Sequence, residues 1–80
     1  MTVRRKKKDM GSRLTLLRRR YAGRSLEGVR LTDGTPAGDY LAGEPEGWRE
    51  VEMYAIFACA DAGWPLHRAN IQCMARELDG

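Results

Sequence analysis

Residues 48–62 run Trp48-Arg49-Glu50-Val51-Glu52-Met53-Tyr54-Ala55-Ile56-Phe57-Ala58-Cys59-Ala60-Asp61-Ala62, and this stretch decides how the rest of the chain must be arranged. Pro45 and Gly47 come before it. Glu46, Glu50 and Glu52 sit near what becomes the positive end of a helix dipole, and Gly63 stands where a left-handed stop is expected. Between Val51 and Ala62 only Glu52 and Asp61 are charged. The pattern therefore predicts a helix that is apolar nearly all round and needs cover on more than one side. Ala55, Ala58, Cys59 and Ala62 form a small-residue stripe against which another helix can lie close, while Met53, Ile56, Phe57 and Ala60 supply bulk elsewhere. Cover comes either from other helices of the same chain or from a second copy, so a homodimer is one of two expectations.

Working toward the C-terminus, Gly63-Trp64-Pro65-Leu66 makes a tight break, with Pro65 suited to the first position of a final helix running to about Leu78. Leu66, Ala69 and Cys73 make one apolar strip of that helix, and Ile71, Met74, Ala75 and Leu78 another. Arg68, Gln72 and Arg76, at i, i+4 and i+8, are left as an outward polar row. Trp64, a large aromatic in so small a domain, is expected in the core.

Toward the N-terminus, Ser12 can cap a helix over 12–22 whose buried stripe is Leu14, Leu17 and Tyr21, with Gly23 as its left-handed end. A strand from Arg13 to Leu17 is the competing pattern, since Leu14 and Leu16 alternate. Residues 25–47 hold Gly28, Asp33-Gly34, Pro36, Gly38, Gly43, Pro45 and Gly47, which break any helix longer than two turns. Val29 and Leu31 alternate about Arg30 ahead of Asp33-Gly34, so Tyr40 to Ala42 can pair back as a small hairpin. The fold expected is mainly α: three short helices, a turn-rich middle segment that can hold a small β-hairpin, and a disordered basic N-terminal arm. The arm covers residues 1–11, and a single small helical domain covers 12–80.

Eighty residues, 42% apolar and 31% charged, allow one thin hydrophobic core. Charge is unevenly placed. Residues 1–24 hold ten bases and one acid, whereas residues 25–80 hold four bases and ten acids, a basic arm on an acidic body. No run approaches the roughly 20 apolar residues needed to cross a bilayer, and the basic start is not followed by the apolar stretch of a secretion signal. Two cysteines do not make a disulfide scaffold, so Cys59 and Cys73 read as small buried residues in a reducing cytoplasm. The expected location is cytoplasmic, with no membrane partner.

The basic tract Arg4, Arg5, Lys6, Lys7 and Lys8, with Arg18, Arg19 and Arg20 on the first helix, suits a polyanion, because each phosphate neutralised releases condensed counterions. Either DNA or RNA meets that requirement, and a solvated basic face or a clamp onto an acidic protein presents the same residues. Helix, short Gly-containing turn, then a helix with an outer Arg68, Gln72 and Arg76 row resembles a helix-turn-helix in outline. Arg can contact guanine and Gln adenine in the major groove. An antiparallel helical hairpin with a solvated outer row predicts the same pattern.

Catalysis has little to stand on. Ser12 and Ser25 lie in cap or turn contexts, there is one histidine, and Asp33 to Gly38 lacks the Lys-Ser/Thr ending of a phosphate-binding loop. Glu44, Glu46, Glu50 and Glu52 read as helix N-terminal charge and a solvated acidic patch. Cys59, His67 and Cys73 lack the paired spacing of a closed zinc site. No enzyme activity, metal or cofactor is expected. The leading expectation is a small nucleic-acid-associated regulator. The alternative is a protein-binding inhibitor or adaptor, of the kind phages and mobile elements encode, that contacts a host protein through Tyr40, Glu44, Glu46 and Trp48.

Overall fold

The computed structural model describes residues 13–79, and the expected arm of residues 1–11 and the capping role of Ser12 lie outside them. The described chain is mainly helical: α1 (residues 13–20), α2 (Ala37–Ala42), α3 (Glu46–Ala62) and α4 (Arg68–Asp79). The strand alternative at 13–17 is not adopted. Leu17 and Tyr21 of the expected stripe are buried. The helix closes through Tyr21 N–H on the Leu17 carbonyl and Arg24 N–H on that of Tyr21, across Gly23 at φ +82°.

The middle segment departs from the expected hairpin. Asp33-Gly34 does turn the chain: the Asp33 carboxylate accepts from Thr35 N–H at 2.9 Å, and Gly34 has φ +92°. The partner of Arg30, however, is Pro36 in a single antiparallel bridge, framed by Leu31 N–H on Thr35 O and Ala37 N–H on Val29 O. Tyr40 to Ala42 belong to α2 instead of a strand. Pro36, at φ −60°, directs the chain straight into a helical turn that buries Ala37, Tyr40 and Leu41. Arg49 then donates to the Glu44 and Ala42 carbonyls, satisfying groups left open where α2 gives way to α3.

α3 begins directly after Pro45, with Gly47 inside its first turn, and ends as expected at Gly63. Gly63 N–H bonds Ala60 O and Trp64 N–H bonds Cys59 O, the two reciprocal bonds of a Schellman cap. The helix is covered within the chain on two sides. Val51, Ala55 and Ile56 pack with Leu31, Ala37, Tyr40, Leu41, Ile71 and Ala75, while Tyr54 and Phe57 pack with Leu17 and Tyr21. Tyr21 stacks on Tyr54 at 5.8 Å between ring centres. Much of the apolar girth of α3 is thus covered within the chain. Ala55 and Cys59 of the small-residue stripe are fully buried, and the Cys59 thiol lies 3.7 Å from the Asn70 carbonyl of α4.

α4 starts later than Pro65. The Pro65 carbonyl is taken by His67 N–H and by the Asn70 side chain, and the Leu66 carbonyl accepts from Thr32 N–H. Those bonds hold residues 65–67 out of the helix and tie the 31–35 turn to it, with Thr32 Oγ1 2.8 Å from His67 Nδ1. Trp64, expected in the core, is 39% exposed, because the cap turns the chain outward at Gly63. Ile71 and Ala75 face inward with Met74 and Leu78 partly covered. Ala69 and Cys73, half a turn away, are exposed, so the expected Leu66, Ala69 and Cys73 strip is not a packing face.

Candidate nucleic-acid and partner interfaces

The arginines of α1 and of the turn after it separate into two kinds. Arg18 meets Glu50 of α3 through Nε on Oε2 at 2.6 Å and Nη2 on Oε1 at 2.9 Å. Tyr54 also donates its hydroxyl to Glu50 Oε2, at 2.7 Å. These bonds, Arg18 first, pull the Glu50 carboxyl down to about 2 and raise the Arg18 guanidinium. Arg24 is engaged likewise, bonding Asp61 at 3.2 Å and 3.4 Å and lying 4.8 Å from the Phe57 ring centre.

Arg13, Arg19 and Arg20 are exposed and pair with no carboxylate among the described residues. They rim an open groove of about 640 Å³ between α1 and the last turns of α4, floored by Leu16, Leu17 and Leu78, with Glu77 at its edge. Leu16 is 59% exposed. Of the expected nucleic-acid residues on α1, Arg19 and Arg20 are thus open to a ligand, whereas Arg18 is spent on an internal pair. Arg4, Arg5, Lys6, Lys7 and Lys8 lie outside the described residues.

In a second groove the two sequence-derived residue sets meet. Gln72 and Arg76 share a groove of about 310 Å³ with Glu44, Pro45, Trp48 and Glu52. Arg68 lies 5.6 Å from the Tyr40 ring centre. The expected outward row of α4 is therefore its flank: with Ile71 and Ala75 turned inward, Ala69 and Cys73 point away from the core, and Arg68, Gln72 and Arg76 lie at the side next to carboxylates. Trp48 is 37% exposed and Glu46 is exposed in the first turn of α3.

Glu52 does not belong to a solvated acidic patch. It is 4% exposed and accepts a 2.7 Å bond from the Tyr40 hydroxyl. Burial raises its carboxyl above the ordinary range, Glu44 nearby adds to this, and the Tyr40 bond and Arg68 oppose it. Burial also raises the Tyr40 phenol, with Glu52 reinforcing the shift. The pair closes the seam between α2 and α3 with both polar groups satisfied.

Cys59 is buried and its thiol is raised by burial, while Cys73, expected inside, is exposed; both are free. His67 is engaged with Thr32. Among the described residues no group of three or more His, Cys, Asp or Glu is arranged to hold a metal ion, and no helix is long and apolar enough to cross a membrane.

Sequence reasoning set Arg13 with Arg18, Arg19 and Arg20 on the outer face of the first helix but left it out of the nucleic-acid-binding residues, and it set Leu16 aside in a strand alternation. The signal for Leu16 was present: it falls off the Leu14, Leu17 and Tyr21 stripe and shares a stripe with Arg13 and Arg20, at i, i+3 and i+7. Nothing in the sequence announced that Glu50 would capture Arg18. Comparison with protein-family models, with curated proteins and with solved structures returns no match.

Proposed function

We propose that this protein is a small non-enzymatic, nucleic-acid-associated regulator that holds backbone phosphates with Arg13, Arg19 and Arg20 together with the basic tract Arg4 to Lys8. The observation that carries the reading is a division among the arginines of α1 and the turn after it: Arg18 and Arg24 are tied to acids, while Arg13 at the start of α1 and Arg19 and Arg20 at its end stay exposed. Contacts of this kind give affinity without sequence choice. Arg68, Gln72 and Arg76 carry little of it in this reading, because a phosphate approaching Gln72 or Arg76 meets Glu44, and one approaching Arg68 meets Asp33, Asp39 and Glu44. The free thiols of Cys59 and Cys73 accord with a reducing, cytoplasmic setting.

The test is a salt titration of binding to random duplex DNA and to single-stranded RNA by the full chain. A steep log-log slope is expected, falling by about 0.9 on duplex for each phosphate contact removed. Replacing Arg19 and Arg20 together by Gln should reduce the slope by about two such steps. Binding that is absent at low salt, or unchanged in the double variant, rejects the reading.

A second reading is a protein-binding inhibitor or adaptor acting through Tyr40, Glu44, Glu46 and Trp48, and the half-exposed indole over the groove beside Pro45 favours it. Tyr40 contributes there from beneath, since its ring is buried and its hydroxyl is occupied by Glu52. Trp48→Ala with Glu44→Gln should then abolish partner capture and leave polyanion binding intact.

A further inference from the structure

The groove between α1 and α4 has a chemistry that phosphate binding does not use. Its floor is leucine: Leu16 is largely open to solvent, with Leu17 and Leu78 beneath and beside it. Its rim is arginine, with Arg13, Arg19 and Arg20 against the single acid Glu77. A backbone phosphate gains nothing from an exposed leucine, and no aromatic ring is present on which a base could stack. An exposed apolar floor inside a rim that carries a net positive charge is the anatomy of a protein-docking site for a partner of the opposite sign.

A second copy of this chain is a poor occupant. A two-fold contact sets the same patch on both molecules, which would bring the three arginines of one against those of the other. We propose that the groove docks an acidic peptide segment of a partner protein. A leucine-like side chain of that segment seats on Leu16, Leu17 and Leu78, and its carboxylates meet Arg13, Arg19 and Arg20. Such a segment competes with nucleic acid for the same guanidinium groups, but its docking is measured without nucleic acid and does not depend on the phosphate reading.

The experiment is fluorescence anisotropy of the full chain, at near-physiological salt, with two labelled synthetic peptides. One carries leucines at i and i+4 among Glu and Asp residues; the other has equal charge with each leucine replaced by Ser. The leucine peptide should bind at least about tenfold more tightly, the effect of burying one large apolar side chain. Leu16→Ser should erase that preference while leaving the helical circular dichroism spectrum and the duplex DNA affinity unchanged. Arg19→Glu with Arg20→Glu should remove both peptides. Equal affinity for the two peptides, or a preference that survives Leu16→Ser, overturns the proposal. So does Leu16-dependent binding to phosphatidylserine vesicles with no binding of the leucine peptide. Failure of the phosphate reading is seen separately, in the duplex DNA titration of the unaltered chain.

Discussion

The Arg18 guanidinium and the Glu50 carboxylate, 32 residues apart in the chain, meet in a two-point contact that also recruits the Tyr54 hydroxyl. The contact fixes where α1 lies along α3, one turn before Tyr21 stacks on Tyr54. It also neutralises one arginine of a basic helix at the surface, so the charge that α1 offers to a partner is set by Arg13, Arg19 and Arg20.

Glu50 makes the fold sensitive to acid. Its carboxyl is held at about 2, against an ordinary 4.5, so the unfolded chain takes up this proton first as pH falls. The contribution is whole above about 4.5 and is lost progressively down to about 2. A Glu50→Gln variant should lose less thermal stability over that window than the unaltered chain, in melts followed by circular dichroism. The difference is expected to be modest, because both side chains are substantially exposed to solvent screening.

Tyr40 and Glu52 should behave in the opposite sense. Glu52 is raised by burial, so the folded chain takes this proton first, and its share of the stability declines as pH rises through the raised value. Glu52→Gln keeps an acceptor for the Tyr40 hydroxyl and removes a buried charge, so it should be neutral or stabilising at pH 7. Tyr40→Phe leaves the carboxylate short of its donor at full burial, and urea denaturation should show a loss of about 1–3 kcal/mol. In the double variant part of that loss should be recovered, since the stranded group is then uncharged.

Helix α3 and its stop at Gly63 were legible in the sequence because local signals agreed: a flanking Pro, acids in the first turn, an uninterrupted apolar run and a terminal Gly. Leu17 and Tyr21 were legible as one buried stripe for the same reason. The misreadings arose where a distant residue decides the local structure. Thr32 takes the Leu66 carbonyl and delays α4, and the core takes the Ile71 and Ala75 face of that helix, which leaves Cys73 and Ala69 outside. Tyr40 looked like a strand residue beside a turn, but its partner is Glu52, twelve positions on, and a helical turn is what delivers the hydroxyl there. The candidate site divides in the same way. Which residues are basic is a property of the sequence, whereas which of them remain unpaired depends on Glu50 and Asp61, more than 30 residues further along the chain.

Gly47 in α3 and Gly63, which caps it, should respond with opposite signs to the same substitution. Gly63 has φ +77°, and a Cβ there meets nothing within 4 Å, so Gly63→Ala carries backbone strain alone. The cost expected is about 1–2 kcal/mol. Gly47 lies in the first turn with helical geometry and equally open surroundings, so Gly47→Ala should stabilise by about 0.5–1 kcal/mol. Urea midpoints of the two variants, measured together, check both.

The pairing of Arg18 also sets an order among neighbouring arginines in any polyanion complex. Arg18 is already neutralised by Glu50, so Arg18→Gln removes one base but also frees one acid to repel phosphate from the same surface. Arg19→Gln and Arg20→Gln remove charges that no described carboxylate balances. If phosphates are held directly by the unpaired guanidinium groups, each of the latter should lower the salt slope on duplex DNA by about 0.9. Arg18→Gln should instead weaken affinity through the freed Glu50 while leaving the slope nearly unchanged, because it removes no direct phosphate contact. Adding Glu50→Gln to Arg18→Gln should then restore the affinity, whereas the same addition to Arg19→Gln should not restore its slope. Salt titrations of the five variants separate a direct contact from a change in the surrounding field. A slope that falls equally for all three arginines would mean that Glu50 releases Arg18 when nucleic acid binds.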